Sequence, residues 1–228
     1  EEGQKVILFT STTSNEGKSF NAANLAASFA FMGKKTVVVG LDIRNPRLTK
    51  LFNISNQDGG ITEYLAAPSS TDLLKLCQQS EISANLFVLP CGIIPPNPTE
   101  LVARPSLEKA IQILKEHFDY IILDTSPINM VTDACVLVPE SSGVLFVVRA
   151  NRTERDTVAH AVEQLEYSKA KILGFVLNGA GTEYGRYGKY RYGKYARYGY
   201  SRGYGYGYGY GYGYGYGYES RPGGPERQ

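Results

Sequence analysis

Short runs of apolar residues recur along the first 180 residues, and segments with helical periodicity separate them. The runs predict buried strands at Val6–Phe9, Thr36–Leu41, Leu86–Leu89, Tyr120–Leu123, Val144–Val148 and Ile172–Leu177. The periodic segments predict helices from Lys18 to Met32, from Pro105 to His117 and from about Thr153 to Ser168. Because strands and helices alternate, we expect an α/β domain with a mostly parallel central sheet flanked by helices.

The composition changes at Tyr184. From there to Tyr218 the chain is mostly Tyr and Gly with a few Arg and Lys, and it holds 15 of the 18 tyrosines. Gly at every second position from Gly203 to Gly217 provides no side chain for a core, and its backbone entropy is costly to fix. We therefore expect a folded domain over residues 1–183 and a disordered tyrosine/glycine-rich tail over residues 184–228.

The net charge of +2 is unevenly distributed between these two regions. Residues 1–183 carry 16 Lys and Arg against 20 Asp and Glu, a net charge of −4, whereas residues 184–228 carry 8 against 2, a net charge of +6. A basic tail is attracted to an acidic body, its own or that of a neighbour. Tails rich in Arg, Gly and Tyr can also stack on single-stranded nucleic acid, but the acidic body argues against a nucleic-acid partner.

A candidate phosphate-binding loop, Ser11–Ser19 (STTSNEGKS), lies between the first predicted strand and the first predicted helix. In a P-loop, backbone N–H groups and the helix N-terminus face the phosphates. Gly17 lets the backbone approach, Lys18 places a positive charge on the β and γ phosphates, and Ser19 can ligate Mg²⁺. The full motif has a glycine where this chain has Thr12, so the match is partial and an ordinary loop is the alternative.

Two carboxylates are predicted to lie near this loop. Asp42 ends the apolar run VVVGL, and Asp124 ends the run YIIL in the position of a Walker B aspartate. Each alone is more often a strand-terminal cap, but the ends of parallel strands share one edge of the sheet. Together with the loop they predict a site for Mg²⁺ and ATP. Beyond Walker B, Thr132 and Asp133 either cap a helix or contact the region of the γ-phosphate.

At these residues the sequence resembles the BY-kinases, the bacterial tyrosine kinases of polysaccharide export. The matching segments are NEGKSF at the P-loop, VVVGLDIRNPRL at the Walker A′ motif, LPCGIIPPNPTELV, and FDYIILDTSPINMVTDA at Walker B. The resemblance runs from Lys5 to Asn178, and the tail matches the tyrosine cluster of the family in kind. Septum-site and partition ATPases share the sheet and Walker B, but they carry a lysine where this chain has Thr13 and lack the tyrosine cluster.

The resemblance implies a P-loop NTPase fold and an ATP-dependent protein-tyrosine kinase that phosphorylates its own tail in trans. A non-kinase ATPase that switches assembly state is the alternative. Lys18, Asp42 and Asp124 are then the expected catalytic residues, and Ser19, Asp42 and Asp124 the expected Mg²⁺ ligands. The expected nucleotide contacts are Ser14, Asn15, Glu16, Gly17, Lys18, Ser19, Phe20 and Arg44. The expected phosphoacceptors are Tyr184, Tyr187, Tyr190, Tyr192, Tyr195, Tyr198, Tyr200, Tyr204, Tyr206, Tyr208, Tyr210, Tyr212, Tyr214, Tyr216 and Tyr218.

One position departs from the family. The Walker A′ motif of BY-kinases usually carries two aspartates, and Gly40 stands where the first is expected. That aspartate is often assigned the task of accepting the tyrosine proton. Either Asp42 performs both tasks, or no strong base is needed, because a loose phosphoryl-transfer transition state leaves little for a base to do.

The remaining expectations concern cellular context. The chain begins at Glu1 rather than Met, so we expect a piece of a longer protein. Apolar runs such as Val144–Val148 are far shorter than the roughly 20 residues that span a bilayer, so any anchor would lie upstream. The resemblance implies the cytoplasmic domain of an inner-membrane protein. It also implies a homo-oligomer, a cognate protein-tyrosine phosphatase and the polysaccharide export machinery as partners, with regulation of capsular or exopolysaccharide synthesis as the biological role.

Overall fold

The computed structural model describes residues 5–55, 58–130 and 133–180. The predicted tail, with its fifteen candidate phosphoacceptor tyrosines, and Thr132 lie outside the described residues. The expectations about them therefore stay predictions.

A seven-stranded sheet forms the centre of the described domain. Its strands are β1 Val6–Ser11, β2 Thr36–Leu41, β3 Gln78–Gln79, β4 Leu86–Leu89, β5 Tyr120–Thr125, β6 Gly143–Arg149 and β7 Ile172–Asn178. Their order across the sheet is β3-β4-β2-β5-β1-β6-β7. Every neighbouring pair is parallel except β3 with β4. The expectation of an α/β fold with a mostly parallel sheet is therefore confirmed.

The helices are α1 Lys18–Phe31, α2 Leu48–Phe52, α3 Ile61–Ala66, α4 Pro98–Val102, α5 Pro105–His117, α6 Asp133–Leu137 and α7 Arg155–Tyr167, with 3₁₀ turns at Leu74–Leu76 and Val138–Glu140. Helices α1, α5 and α7 match the sequence prediction to within about two residues at either end. The other four have five or six residues, too few to show a helical period. No helix in the described ranges is long and apolar enough to cross a membrane.

Helices cover both faces of the sheet, which explains why the central strands are apolar along their whole length. On one face α1 presents three small buried residues, Ala22, Ala26 and Ala30, at successive helical turns. These alanines belong to the same buried cluster as Val38 and Ile122 of β2 and β5. A larger cluster fills the other face, where α3, α5 and α7 pack.

The two ends of the sheet differ from its centre. Strand β7 is the last strand at one end and pairs on one side with β6. Its side chains Leu173, Phe175 and Leu177 are 47%, 56% and 61% exposed. A strand with apolar side chains in solvent is unusual, and β7 therefore forms an apolar border of the described domain.

The order of the central strands brings the candidate site together. β5 lies between β1 and β2, with Asp124 opposite Phe9 on one side and opposite Gly40 on the other. Since all three strands run in the same direction, the loops that follow them meet at one edge of the sheet. The P-loop follows β1, and Asp42 follows β2, so both lie beside Asp124.

Candidate nucleotide and magnesium site

Glycine is required at position 17 of the P-loop for two reasons. Gly17 has a φ of +102°, in the left-handed region, where it begins α1 as its N-terminal cap. A Cβ atom at this position would lie 2.0 Å from Nδ2 of Asn178. The loop therefore packs its backbone directly against the end of β7, and any larger residue would have to displace one of them.

The side chain of Glu16 braces the P-loop from inside the protein. Its Oε1 accepts a hydrogen bond of 2.6 Å from the Thr12 hydroxyl and another from the Thr153 hydroxyl, and its Oε2 accepts one of 2.9 Å from the Thr13 N–H. Its backbone carbonyl accepts a 2.8 Å hydrogen bond from Nδ2 of Asn178. The Glu16 carboxylate is thus buried and committed to the loop, so its side chain does not face a nucleotide.

Lys18 and Asp42 form a buried pair at the mouth of the loop. Lys18 Nζ lies 3.9 Å from Asp42 Oδ2, while Asp42 Oδ1 accepts hydrogen bonds from the Ser126 hydroxyl at 3.1 Å and from the Asn45 N–H at 3.2 Å. Burial raises the pKa of Asp42 above its ordinary value, and the Lys18 ammonium and these hydrogen bonds offset the rise in part. The 3.9 Å separation leaves the Lys18 ammonium available to an anion.

Asp124 is a deeply buried carboxylate. It is 1% exposed, and neither of its oxygens has a hydrogen-bond partner within the part of the chain that the structure describes. Burial raises the pKa of Asp124 to about 7; the nearby Ser19 hydroxyl and Lys18 ammonium lower it, and the Asp42 carboxylate raises it. A carboxylate in this position is costly unless a cation joins it.

The donor set fits Mg²⁺ together with a nucleotide. Asp124, Asp42 and the Ser19 hydroxyl provide the hard oxygen ligands that Mg²⁺ prefers, and the unpartnered Asp124 oxygens are the specific indication. Among the described residues no cluster of three or more His, Cys, Asp or Glu side chains could hold a metal by itself. A few protein oxygens completed by phosphate and water are typical of Mg²⁺ bound with a nucleotide.

The cavity over this group has a volume of about 500 Å³, in the range of small-molecule sites. Of the residues expected to contact nucleotide or metal, it is lined by Ser14, Asn15, Gly17, Lys18, Ser19, Phe20 and Asp42. A second, more open cavity of about 590 Å³ lies between Ile128–Met130 and α7, and it contains neither the P-loop nor a strand-end carboxylate. The chemistry therefore favours the first cavity.

Arg44 points away from this cavity. Its Nη2 donates a 2.7 Å hydrogen bond to the Thr99 hydroxyl, and its Nε lies 3.5 Å from Oδ2 of the fully buried Asp133. Arg44 thus ties the segment after β2 to α4 and to Asp133, the first residue of α6. The expected contact between Arg44 and the nucleotide is not what the structure shows.

Four residues that line the cavity were not predicted: Asn45, Arg47, Lys50 and Leu51. Arg47 contacts the loop directly, because its Nη2 donates a 3.0 Å hydrogen bond to Oδ1 of Asn15. All four follow β2, either within the segment VVVGLDIRNPRL or just after it. That Walker A′ segment could therefore have indicated them as cavity residues. The supporting contacts of Ser126, Thr153 and Asn178 depend on tertiary structure, which periodicity does not reveal.

The chain resembles known proteins in sequence. A family model described as AAA domain matches residues 4–166. The tyrosine-protein kinase CpsD of Streptococcus agalactiae is 37% identical over 191 residues, which cover 83% of this chain and 82% of that protein. The tyrosine-protein kinase YwqD of Bacillus subtilis (strain 168) is 36% identical over 188 residues, with 81% and 78% covered.

Solved structures show the same likeness. The kinase domain of Escherichia coli tyrosine kinase ETK superposes with a TM-score of 0.75 at 29% identity, over 91% of this chain and 74% of that one. The chimerical protein CapA2B2 gives a TM-score of 0.72 at 34% identity, over 78% and 76%. The septum site-determining protein MinD from Pyrococcus horikoshii, solved with Mg-ADP, gives a TM-score of 0.65 at 22% identity over 78% and 71%, and at that identity only the fold is shared.

Proposed function

We propose that this chain, which belongs to the AAA-domain family and to the bacterial tyrosine-protein kinases within it, transfers the γ-phosphoryl group of ATP to tyrosines of its own C-terminal tail on a neighbouring copy. The observation that carries the proposal is that Lys18, Ser19 and Asp42 line one cavity and that the buried carboxylate of Asp124, which has no hydrogen-bond partner among the described residues, lies next to all three. The tail that follows β7 provides 15 tyrosines as acceptors.

In this proposal the P-loop binds the phosphates. The backbone N–H groups at the start of α1 and the Lys18 ammonium face the anionic oxygens, as in other helix N-terminal phosphate sites. Arg47 adds a second positive charge at the wall of the cavity, where its hydrogen bond to Asn15 holds it against the loop. Both cations favour the triphosphate over an uncharged ligand.

Asp124, Asp42 and Ser19 would hold the magnesium ion, which when bound neutralises charge on the β- and γ-phosphate oxygens. Asp42 would also accept a hydrogen bond from the incoming phenol, because Gly40 supplies no carboxylate. As the tyrosine oxygen bonds to the γ-phosphorus, the bond from that phosphorus to the β–γ bridging oxygen breaks. The phenolic proton passes to Asp42 or to the transferred phosphate, and ADP leaves.

We extend the proposal to context on the strength of the motif resemblance. The chain then acts as the cytoplasmic domain of an inner-membrane protein and assembles with copies of itself. A cognate protein-tyrosine phosphatase reverses the modification, and the cycle regulates synthesis and export of a capsular polysaccharide or exopolysaccharide.

The test separates the donor copy from the acceptor copy. One protein carries Lys18→Met with its tail intact, and the other keeps Lys18 but has every tail tyrosine replaced by Phe. After incubation of the mixture with Mg·ATP, mass spectrometry should find phosphotyrosine between Tyr184 and Tyr218 of the Lys18→Met copy.

Each copy alone, and the mixture with EDTA, should give no phosphotyrosine in the tail. ATP hydrolysis by the parent without any phosphotyrosine would instead support the alternative, a P-loop ATPase that switches assembly state. Absence of both hydrolysis and nucleotide binding would contradict the assignment of the site itself.

A further inference from the structure

We propose that Ser126 is a positioning residue that commits one oxygen of Asp42 to the protein and leaves the other oriented toward the ligand. This inference rests on the proposed function, because it concerns how Asp42 is presented to the metal and the acceptor. Ser126 lies in the Walker B segment FDYIILDTSPINMVTDA, but the family resemblance assigns it no role there.

The two oxygens of Asp42 have different surroundings. Oδ1 accepts hydrogen bonds from the Ser126 hydroxyl at 3.1 Å and from the Asn45 N–H at 3.2 Å. Oδ2 faces the Lys18 ammonium at 3.9 Å, longer than a hydrogen-bonded ion pair. Because these hydrogen bonds occupy Oδ1, Oδ2 is the oxygen of Asp42 that remains for a ligand in the cavity that Asp42 lines.

Ser126 is itself held firmly. It is 1% exposed, and its carbonyl accepts a 3.1 Å hydrogen bond from the Thr10 hydroxyl. Pro127 follows it and restricts the backbone further. Because an unpaired buried hydroxyl is unfavourable, the bond to Asp42 is the arrangement that this side chain favours.

Because position 40 has no carboxylate, the site depends more strongly on the orientation of the Asp42 carboxylate. Gly40 lies directly opposite Asp124 in the sheet, and a Cβ atom there would lie 3.1 Å from the backbone nitrogen of Cys91. Asp42 is thus the one carboxylate at the end of β2, between Thr36 and Asn45. If the Ser126 hydroxyl were lost, Asp42 could turn toward Lys18, and no neighbouring carboxylate on that strand would replace it.

The experiment removes the hydroxyl and follows Mg²⁺ dependence. In Ser126→Ala we expect the Mg²⁺ concentration for half-maximal binding of a fluorescent ribose-labelled ATP to rise roughly tenfold or more. We expect kcat for tail phosphorylation to fall roughly 10- to 100-fold, since the lost bond is to a charged group. Ser126→Thr, which keeps the hydroxyl, should recover most of both values.

Thr36→Val is the matched control, because it also deletes a buried hydroxyl, at the opposite end of β2 from Asp42. Among the contacts described, the Thr36 hydroxyl bonds only to the backbone carbonyl of Lys34. It should match the parent in both measurements. Thermal unfolding of every variant shows whether a loss reflects the site or the fold. If Ser126→Ala has a low Mg²⁺ affinity but the thermal stability of the parent, the result supports a role of Ser126 in positioning Asp42.

Asp42→Asn separates failure of this inference from failure of the proposed function. If Ser126 acts through Asp42, adding Ser126→Ala to Asp42→Asn should change Mg²⁺-dependent nucleotide binding no further. Parental Mg²⁺ dependence in Ser126→Ala alongside a defective Asp42→Asn would overturn the role of Ser126 while the kinase site stands. Parental behaviour of Asp42→Asn itself would overturn the role of Asp42.

Discussion

Gly17 has a backbone conformation that only glycine adopts readily, and Asp124 has surroundings that are unfavourable for most carboxylates. Gly17 adopts a backbone angle in the left-handed region against the side chain of Asn178, and Asp124 is buried without a hydrogen bond among the described residues. Such features concentrate at functional sites, where a ligand compensates for them. A substitution at either residue should therefore change the stability of the protein or its nucleotide binding measurably.

Gly17→Ala should disrupt the nucleotide site. The added Cβ meets Nδ2 of Asn178 and strains the backbone, so we expect a loss of about 1–3 kcal/mol in the free energy of unfolding and loss of ATP binding. Urea denaturation and titration with a fluorescent nucleotide measure the two effects.

Gly33→Ala is the matched control. Gly33 also has a positive φ of +78°, but a Cβ there would find nothing within 4 Å. Strain alone should cost about 1 kcal/mol and leave nucleotide binding intact. Equal nucleotide affinity in the two alanine variants would contradict the structural account of Gly17.

Asp124 predicts a pH dependence of stability. Since its pKa is about 7 in the folded protein and near 3.8 in the unfolded chain, the folded state retains a proton that the unfolded state releases in this window. The contribution of Asp124 to the free energy of unfolding therefore falls as the pH rises from about 4 to about 7, by an amount on the order of a few kcal/mol.

Asp124→Asn should abolish that component. Without metal or nucleotide, the variant should be more stable than the parent at pH 8 and nearly equal to it at pH 4, as measured by urea denaturation across the range. Parallel stability curves for the two proteins would show that Asp124 ionises normally.

At the scale of elements, α1 is shaped to lie close to the sheet. Its buried face consists of alanines, so the helix backbone approaches β2 and β5 and brings Lys18 and Ser19 to the carboxyl edge. Both of these residues are in the first turn of α1 and are at least nine-tenths buried. The small residues of the helix thus determine where the phosphate-binding side chains lie.

Ala26→Leu tests this packing. Ala26 is fully buried, and three extra carbons between α1 and the sheet should lower the free energy of unfolding by about 1–3 kcal/mol. Ser28→Leu, a small-to-large change on the exposed side of the same helix, should alter it by about 0.5 kcal/mol or less. If Ala26→Leu and Ser28→Leu changed the free energy of unfolding equally in urea denaturation, α1 would not be closely packed against the sheet.

The elements that the sequence predicted are those with a strong hydrophobic pattern. Six of the seven strands and the three long helices were identified, because a buried parallel strand is apolar at every position and a long helix repeats its period. The two-residue β3 and the five-residue α2, α4 and α6 contain too few residues for any period.

The hydrophobic pattern of the sequence does not indicate in which direction a side chain points. Arg44 and Arg47 lie in the same short segment, and the sequence favoured Arg44 as the nucleotide contact. The structure turns Arg44 to Asp133 and Arg47 to the cavity. Which of the two reaches the site depends on the turn of the backbone into α2 and on a carboxylate about 90 residues away.

At the scale of the whole molecule, charge is the feature through which the proposed tail phosphorylation would affect the proposed assembly. The body of 183 residues has a net charge of −4 and the tail a net charge of +6. Each phosphate adds about −1.5 to −2, so three or four phosphates cancel the charge of the tail. Attraction between the tail of one copy and the body of another should then become repulsion.

Self-association should therefore respond to salt and to phosphorylation. In sedimentation velocity we expect the unmodified protein to shift to smaller species as salt rises from roughly 50 mM to 500 mM, because added ions screen exposed charges. Prior incubation with Mg·ATP should give the same shift at low salt in the parent and none in Lys18→Met. Assemblies that persist through heavy tail phosphorylation would show that charge does not hold the copies together.

The apolar border at β7 has a practical consequence of a different kind. Within the described ranges, one side of this strand has no partner strand, and Leu173, Phe175 and Leu177 extend into solvent beside it. An exposed strand edge next to exposed apolar side chains can pair with other chains and so promotes aggregation. Concentrated solutions should therefore become turbid, and because an apolar contact is not ionic, a kosmotropic salt such as sulfate should increase the turbidity.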